Sequence, residues 1–206
     1  AADHEAILEE FLEGQARVLV GTQMVAKGLD IPAVTLVGVV SADTGLAVPD
    51  FRAAERAFQV LVQVAGRAGR GSRRGRVIIQ TLQPEHYAIV AAADQDYEAF
   101  YEIEIGVRAE HADPPFSRLI RLMYADPRAE ESRLEAVKLA ARLRRERTMS
   151  GETGTEVIGP TPAYPPRLRG RTRWHVVLKG AEPARLLDKV ALPRGWVVDV
   201  DPVSLA

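Results

Sequence analysis

Apolar residues recur along this chain with two different periods. In the first segment, residues 4–13 place Ile7, Leu8, Phe11 and Leu12 on one helical face, and Gly14 supplies a stop. Arg17 to Val20 is a short apolar run that reads as a strand closed by Gly21-Thr22. Val34 to Val40 is continuous and rich in valine, the pattern of a strand buried on both faces. Asp50 is placed to cap a helix over Ala53 to Ala65. A basic, glycine-rich turn over residues 69–75 follows, and Arg76 to Thr81 reads as another strand. Helix, strand, loop, strand, helix, strand is the order of an α/β layer with a mainly parallel sheet.

The second half changes rhythm. Residues 84–112 predict two helical pieces, one beginning at Pro84 and one over Asp96 to Glu110. Asp113-Pro114-Pro115 breaks the pattern and marks a domain boundary, giving residues 1–112 and 113–206. Beyond it, Arg118 to Tyr124 reads as a strand. Glu130 to Arg147 reads as a helix with Leu134, Val137, Leu139, Ala141 and Leu143 among its apolar positions. Val157 to Pro160 is extended, Trp174 to Lys179 a strand, Glu182 to Val190 a helix and Trp196 to Val200 a last strand. The expected fold is therefore an α/β, partial lobe followed by a small α+β domain of β-α-β-β-α-β type. Tyr97, Phe100, Tyr101 and Phe116 have spacings that suit a core beneath the boundary helix. Glu130, Glu131, Arg142, Arg144, Arg145 and Arg147 suit a solvated helix surface that complements the helix dipole.

Composition narrows the classes. The chain has 206 residues, 47% of them hydrophobic, enough for a packed core in one large or two small domains. The formal net charge is −1, so any nucleic-acid contact must come from local patches. With no cysteine there is neither a disulfide scaffold nor a cysteine zinc site, and the four scattered histidines show no ligand spacing. No apolar run approaches the roughly 20 residues of a membrane span, and no signal peptide is visible. A soluble cytoplasmic protein without membrane contact is expected. The chain opens at Ala1 and enters a helix almost at once, which suggests a piece of something longer.

Two stretches carry chemistry. Gln63-Val64-Ala65-Gly66-Arg67-Ala68-Gly69-Arg70 presents two arginines three positions apart, each a planar fork of donors suited to phosphate oxygens. Gly66 and Gly69 leave room for a close approach. Upstream, residues 21–32 follow a predicted strand, at the sheet edge where α/β folds bind ligands. There Thr22 and Gln23 offer short hydrogen-bonding groups, Gly28 a tight approach, and Asp30 an acceptor for a sugar hydroxyl. A third stretch, Arg167-Leu168-Arg169-Gly170-Arg171-Thr172-Arg173-Trp174, alternates arginine with other residues. An extended segment would set Arg167, Arg169, Arg171 and Arg173 on one face as a phosphate track, with Trp174 as a stacking surface. The rival view makes Trp174 core and the arginines a solvated edge. Arg73, Arg74 and Arg76 also suit DNA, though a solvated turn fits them equally well.

The order and separation of the first two stretches resemble motifs V and VI of superfamily 2 helicases. Gly21-Thr22-Gln23-Met24-x-Ala26-Lys27-Gly28, then Asp50-Phe51-Arg52-Ala53-Ala54-Glu55-Arg56, then the octet at 63–70, resemble the PriA family of primosomal replication-restart helicases. Asp113-Pro114-Pro115-Phe116, Ile158-Gly159-Pro160 and Asp199-Val200-Asp201-Pro202 extend the resemblance over nearly the whole chain. It implies a RecA-like lobe and an ATP-dependent 3′–5′ DNA helicase that restarts stalled forks by assembling the primosome. Arg67 and Arg70 would then be arginine fingers on the γ-phosphate, with Gln63 and Gly66 in the same cleft. Gly28 and Asp30 would couple ATP to DNA, while Thr22, Gln23, Arg169, Arg171, Arg173 and Trp174 would touch DNA.

The resemblance further implies ATP and Mg2+ in the full-length protein. It also implies single-stranded-DNA-binding protein and primosome proteins as partners at replication forks, in the cytoplasm of a bacterium near its nucleoid. The sequence holds no Gly-x-x-x-x-Gly-Lys-Ser/Thr loop, no apparent acidic magnesium box and none of the family's zinc cysteines. The chain is therefore expected to be inactive alone. The alternatives are another superfamily 2 DNA translocase, or a non-enzymatic nucleic-acid-binding module whose arginine-glycine stretch is simply basic.

Overall fold

The computed structural model describes residues 2–22, 34–66, 68 and 75–206. They divide into two compact units: Ala1–Leu46 with Ala54–Phe100, and Ala47–Ala53 with Tyr101–Ala206.

In the first unit, helix α1 spans Ala2–Leu12, strand β1 Leu36–Val39, the short helix α2 Asp43–Leu46 and helix α3 Ala53–Ala65, whose first residue is grouped with the second unit. Strand β2 (Arg76–Ile79), helix α4 (Tyr87–Asp94) and the start of helix α5 (Tyr97–Glu110) follow. β1 and β2 pair in parallel, Leu36 opposite Arg76 and Val39 opposite Ile79. Arg17–Val20 is irregular rather than a strand, with Val18 and Val20 exposed. An apolar run of that length reads equally well as loop once no strand among the described residues pairs with it. β1 is shorter than the apolar run that signals it, and it alternates exposed and half-buried residues instead of burying both faces.

The core of this unit lies under α3 and α4. The Phe58 ring stacks on Phe100 with centroids 4.2 Å apart, amid Leu61, Ile89, Ala88, Ala91 and Ala92. Asp43, at the start of α2, accepts from the Thr81 hydroxyl at 2.8 Å and from the Leu82 N–H, tying the end of β2 to α2. The Thr81 bond holds the Asp43 carboxyl below the usual carboxylate range. α4 starts at Tyr87, three residues beyond Pro84, because His86 caps it by accepting from the Ala88 N–H. Gln95, left-handed at φ 56°, ends α4, and Asp96 opens α5 by accepting from the Ala99 N–H. Phe100 is buried, but Tyr97 and Tyr101 are exposed, as is Phe116. The core-facing stripe of α5 takes Phe100 and Glu104 instead, and Glu104 is satisfied there by Arg108 Nε at 2.7 Å.

The second unit realises β-α-β-β-α-β. β3 spans Arg118–Asp126, α6 Ala129–Ser150, β4 Thr155–Leu168, β5 Arg171–Gly180, α7 Ala184–Leu187 and β6 Val197–Val200. The strands lie in the order β4-β5-β3-β6, all antiparallel. One sheet face (Ile120, Leu122, Val176, Leu178) packs on α6 and α7 through Leu139, Ala140, Leu143 and Leu186. The buried stripe of α6 is Ser132, Ala136, Leu139, Ala140 and Leu143, at helical spacing. Leu134, Val137 and Ala141 fall outside it and are exposed. Nor is the arginine side of α6 merely solvated. Arg144 donates to the carbonyls of Val157 and Gly159, and Arg142 to that of Ala191 at 2.9 Å, clamping the helix to β4 and to the loop after α7.

Candidate functional site

α3 positions the first group of candidates. Its apolar face buries Phe58 and Leu61, so the helix arrives at its carboxyl end with Gln63 half-buried in the last turn and Gly66 exposed just beyond. The Gly66 N–H donates to the Val62 carbonyl at 3.0 Å, closing the helix. Among the described residues, a Cβ on Gly66 would meet the Val62 and Gln63 carbonyl oxygens, at 3.5 and 3.6 Å. Both are ordinary van der Waals distances. Thr22 is exposed on irregular backbone. Arg67, Arg70, Gln23, Gly28 and Asp30 lie outside the described residues, as do Arg73 and Arg74. Of the nucleotide candidates, Gln63 and Gly66 stand together at one helix end.

The second group is on the β4–β5 hairpin, and its geometry differs from one extended arginine row. Arg169 and Gly170 both have positive φ, 49° and 78°, the mark of a two-residue hairpin turn. Leu168 pairs with Arg171 and Arg167 with Thr172. Cross-strand partners share a face, and residues alternate along a strand. Arg171 and Arg173 consequently share one face, Arg167 lies on the other, and Arg169 occupies the turn. Trp174 falls on the face of Val176 and Leu178, the helix-covered side, and is half-buried. The four-arginine track with an adjoining tryptophan is not formed, because the chain reverses at Arg169-Gly170 where an extended reading had it continue.

A different basic cluster occupies the sheet face opposite α6. Arg173 donates to the Pro165 carbonyl at 3.2 Å, with its other terminal nitrogen 3.2 Å from Met123 Sδ. His175 lies two residues further along the same face, with Nδ1 buried and without a hydrogen-bond partner. Burial, and then the nearby Arg121 and Arg173, push its pKa below the ordinary histidine value. Arg121, on the neighbouring strand, pairs with Asp199 of β6 at 2.8 Å. Lys179 donates to Asp113 and to the His111 carbonyl, both at 2.7 Å. Arg171 is exposed at the rim of this face. Arg121 and His175 went unmarked in the sequence because strand alternation alone does not say which strands are neighbours. Their placement with Arg173 follows from the β4-β5-β3-β6 order. Among the described residues no group of three or more His, Cys, Asp or Glu is placed to hold a metal ion, and no helix is long and apolar enough to cross a membrane.

Residues 109–203 match the family described as Primosomal protein N C-terminal domain, and residues 1–72 match Helicase conserved C-terminal domain, a RecA-like lobe. The chain is 43% identical over 183 residues to Replication restart protein PriA of Bacillus subtilis (strain 168), covering 89% of this chain and 22% of that relative. It is 41% identical over 207 residues to Replication restart protein PriA of Treponema pallidum (strain Nichols), covering 96% of this chain and 31% of the relative. The protein of the same name from Synechocystis is 39% identical over 215 residues, covering 98% and 25%. The chain thus spans about a quarter of the length of the curated relatives it matches.

Proposed function

The chain belongs to the PriA family of replication restart proteins, and from that premise we propose that it works as part of an ATP-driven 3′–5′ DNA helicase that restarts stalled replication forks. The observation that carries this reading is the succession, in one chain, of a helicase C-terminal domain match and a family-specific α+β domain. Residues 1–112 serve as the later part of the second motor lobe, and residues 113–206 as the C-terminal domain. In the full-length protein ATP with Mg2+ supplies phosphoryl transfer to water. This chain holds no group assigned to zinc.

Within that scheme Arg67 and Arg70 neutralise charge on the transferring phosphoryl group, and Gln63 and Gly66 border the same cleft at the end of α3. Gly28 and Asp30 couple the nucleotide to DNA, and Thr22 and Gln23 contact its backbone. Gly66 fits a nucleotide-facing role, because a Cβ there would meet its described neighbours at no less than 3.5 Å. In the C-terminal domain the phosphate-contacting set is Arg169 at the hairpin tip with Arg171 and Arg173 on one face, while Trp174 offers a half-buried edge. Partners are forked and single-stranded DNA, single-stranded-DNA-binding protein and the primosome proteins, met in the bacterial cytoplasm at the nucleoid.

Arg67→Ala in the full-length protein tests the motor. An arginine finger contributes about 10³–10⁵ in rate, so DNA-stimulated ATP hydrolysis should vanish while DNA affinity changes little. Normal turnover would overturn the assignment. The isolated 206-residue chain should release no phosphate from ATP above a control.

A further inference from the structure

Trp174 can offer a ligand only an edge, because it falls on the helix-covered side of its sheet and is half-buried. The other aromatic residue of the β4–β5 hairpin, Tyr164, is 47% exposed. It lies where β4 departs from its partner. Pro162 pairs with Trp174 and Arg167 with Thr172, so residues 163–166 stand opposite Arg173 alone. A bulge of this kind bends the strand and re-aims its side chains. Ala163, 2% exposed, anchors the near end of the bulge. Arg173 donates to the Pro165 carbonyl at 3.2 Å and so holds the residue next to Tyr164. Pro162, Pro165 and Pro166 restrict the backbone on either side. The Tyr164 ring is thereby presented from a stiffened crest.

A single exposed tyrosine is ordinary. This one belongs to a stretch, residues 157–181, that contains no Asp or Glu and whose turn carries Arg167, Arg169, Arg171 and Arg173. Arg171 is exposed, and Arg169 stands in the turn itself. Asp126, opposite Thr172 across the β3–β5 ladder, is engaged by the N–H and Nε of Arg128. Arg171 therefore has no ion pair among the described residues. Strand addition is disfavoured at the crest, because its prolines have no N–H to give to a ladder. What remains is a partner with anions spaced along a chain and flat faces open between them. Single-stranded DNA has both, whereas a duplex keeps its bases stacked inside.

We infer that Tyr164 is a base-stacking residue and that the β4–β5 hairpin is selective for single-stranded DNA. The ring takes one base, while Arg169 and Arg171 hold the flanking phosphates. Arg173 spends one N–H on positioning the crest. The inference rests on the DNA-binding role proposed above for the hairpin arginines. It adds the residue that would tell a single strand from a duplex.

The test is binding of the 206-residue chain to a labelled oligothymidylate, to an abasic strand of the same length and to a blunt duplex. Tyr164→Ala should weaken binding to oligothymidylate by about 5- to 150-fold, and leave the abasic strand and the duplex within about twofold of wild type. The slope of log affinity against log salt should not change, since no charge is lost. Tyr164→Trp should bind oligothymidylate at least as tightly as wild type. Arg171→Ala should weaken all three ligands and reduce the single-strand salt slope by about 0.7. Equal losses on all three ligands in Tyr164→Ala, or an unchanged affinity for oligothymidylate, overturn the stacking role. Either leaves the DNA reading of the hairpin standing so long as Arg171→Ala weakens binding. An Arg171→Ala variant that binds every ligand as wild type does overturns that reading itself.

Discussion

The two sheets formed by the described residues bury their apolar residues very differently. In the four-stranded sheet, Leu122, Val176 and Leu178 are fully buried beneath Leu139 and Leu143, and long cross-strand ladders join β3, β4 and β5. In the two-stranded parallel sheet, Leu36 and Ile78 are 57% and 48% exposed, and each strand is four residues long. A two-stranded pairing is marginal without a packed face, so the first unit depends on the α3–α4 core around Phe58 and Phe100. The contrast teaches that apolar content alone does not measure how firmly a segment is held. Val34 to Val40 is among the most apolar runs in the sequence, yet it is among the less buried.

The sharpest way to break this contrast is to hollow one core and watch the other. Leu143→Ala, at a site with no solvent exposure, should cost about 2–5 kcal/mol. Amides of β3 and β5 should exchange faster by the corresponding factor, while those of α3 and α4 should keep their rates. Equal loss of protection in both units would mean that they unfold together, and the distinction between them would fail.

Next in size is the ion pair of Lys179 with Asp113. Both side chains are largely buried, and Lys179 also satisfies the His111 carbonyl. Lys179→Ala strands a carboxylate and a carbonyl, an expected loss of about 1–3 kcal/mol in urea denaturation. Lys179→Met with Asp113→Leu should recover part of it, because no charge is then left unpaired. A double variant less stable than the single one would show that the pair is not the reason for the loss.

Much of this architecture was legible in the chain. The β-α-β-β-α-β order is the one the period changes predict, and α3 appears over the residues its apolar spacing marks. What was not legible has a common cause: it depends on neighbours. Arg17–Val20 reads as a strand only if something pairs with it. Tyr97 and Tyr101 suit a core only if α5 is rotated toward them, and the helix instead turns Phe100 and Glu104 inward. The arginine row fails at Arg169-Gly170 because two successive positive-φ residues reverse the chain, and glycine after a long polar residue is a weak signal of that turn. The link from Asp50 to Ser204 spans 154 positions, a separation no local pattern reports.

A smaller effect should separate the sheets by pH. His175 lies within the buried sheet and is held below the ordinary histidine pKa, chiefly by desolvation and then by Arg121 and Arg173. The unfolded chain takes up a proton near pH 6.5, whereas the folded chain resists doing so. Between those two values the unfolded state binds more protons, so stability rises with pH there. The contribution is complete above about pH 6.5 and declines as pH falls through and below that value. His175→Gln should flatten the decline of the urea midpoint between about pH 7.5 and 5.5. Parallel declines in wild type and variant would show that His175 titrates as freely folded as unfolded.

The smallest expected effect is also the most direct test of how the first unit is held. Leu36 and Val40 of the valine-rich segment are 57% and 76% exposed, so Leu36→Ser and Val40→Ser remove little buried area. Substitutions at such sites usually stay within about 0.5 kcal/mol. Phe58→Ala, by contrast, opens the stacked core and should lower the stability of the same unit by about 3–5 kcal/mol. Comparing the three in one denaturation series isolates the role of the sheet from that of the helices. If either serine variant approached the loss from Phe58→Ala, the valine-rich segment would have to be packed in solution. The first unit would then be held by its sheet after all, as the second one is.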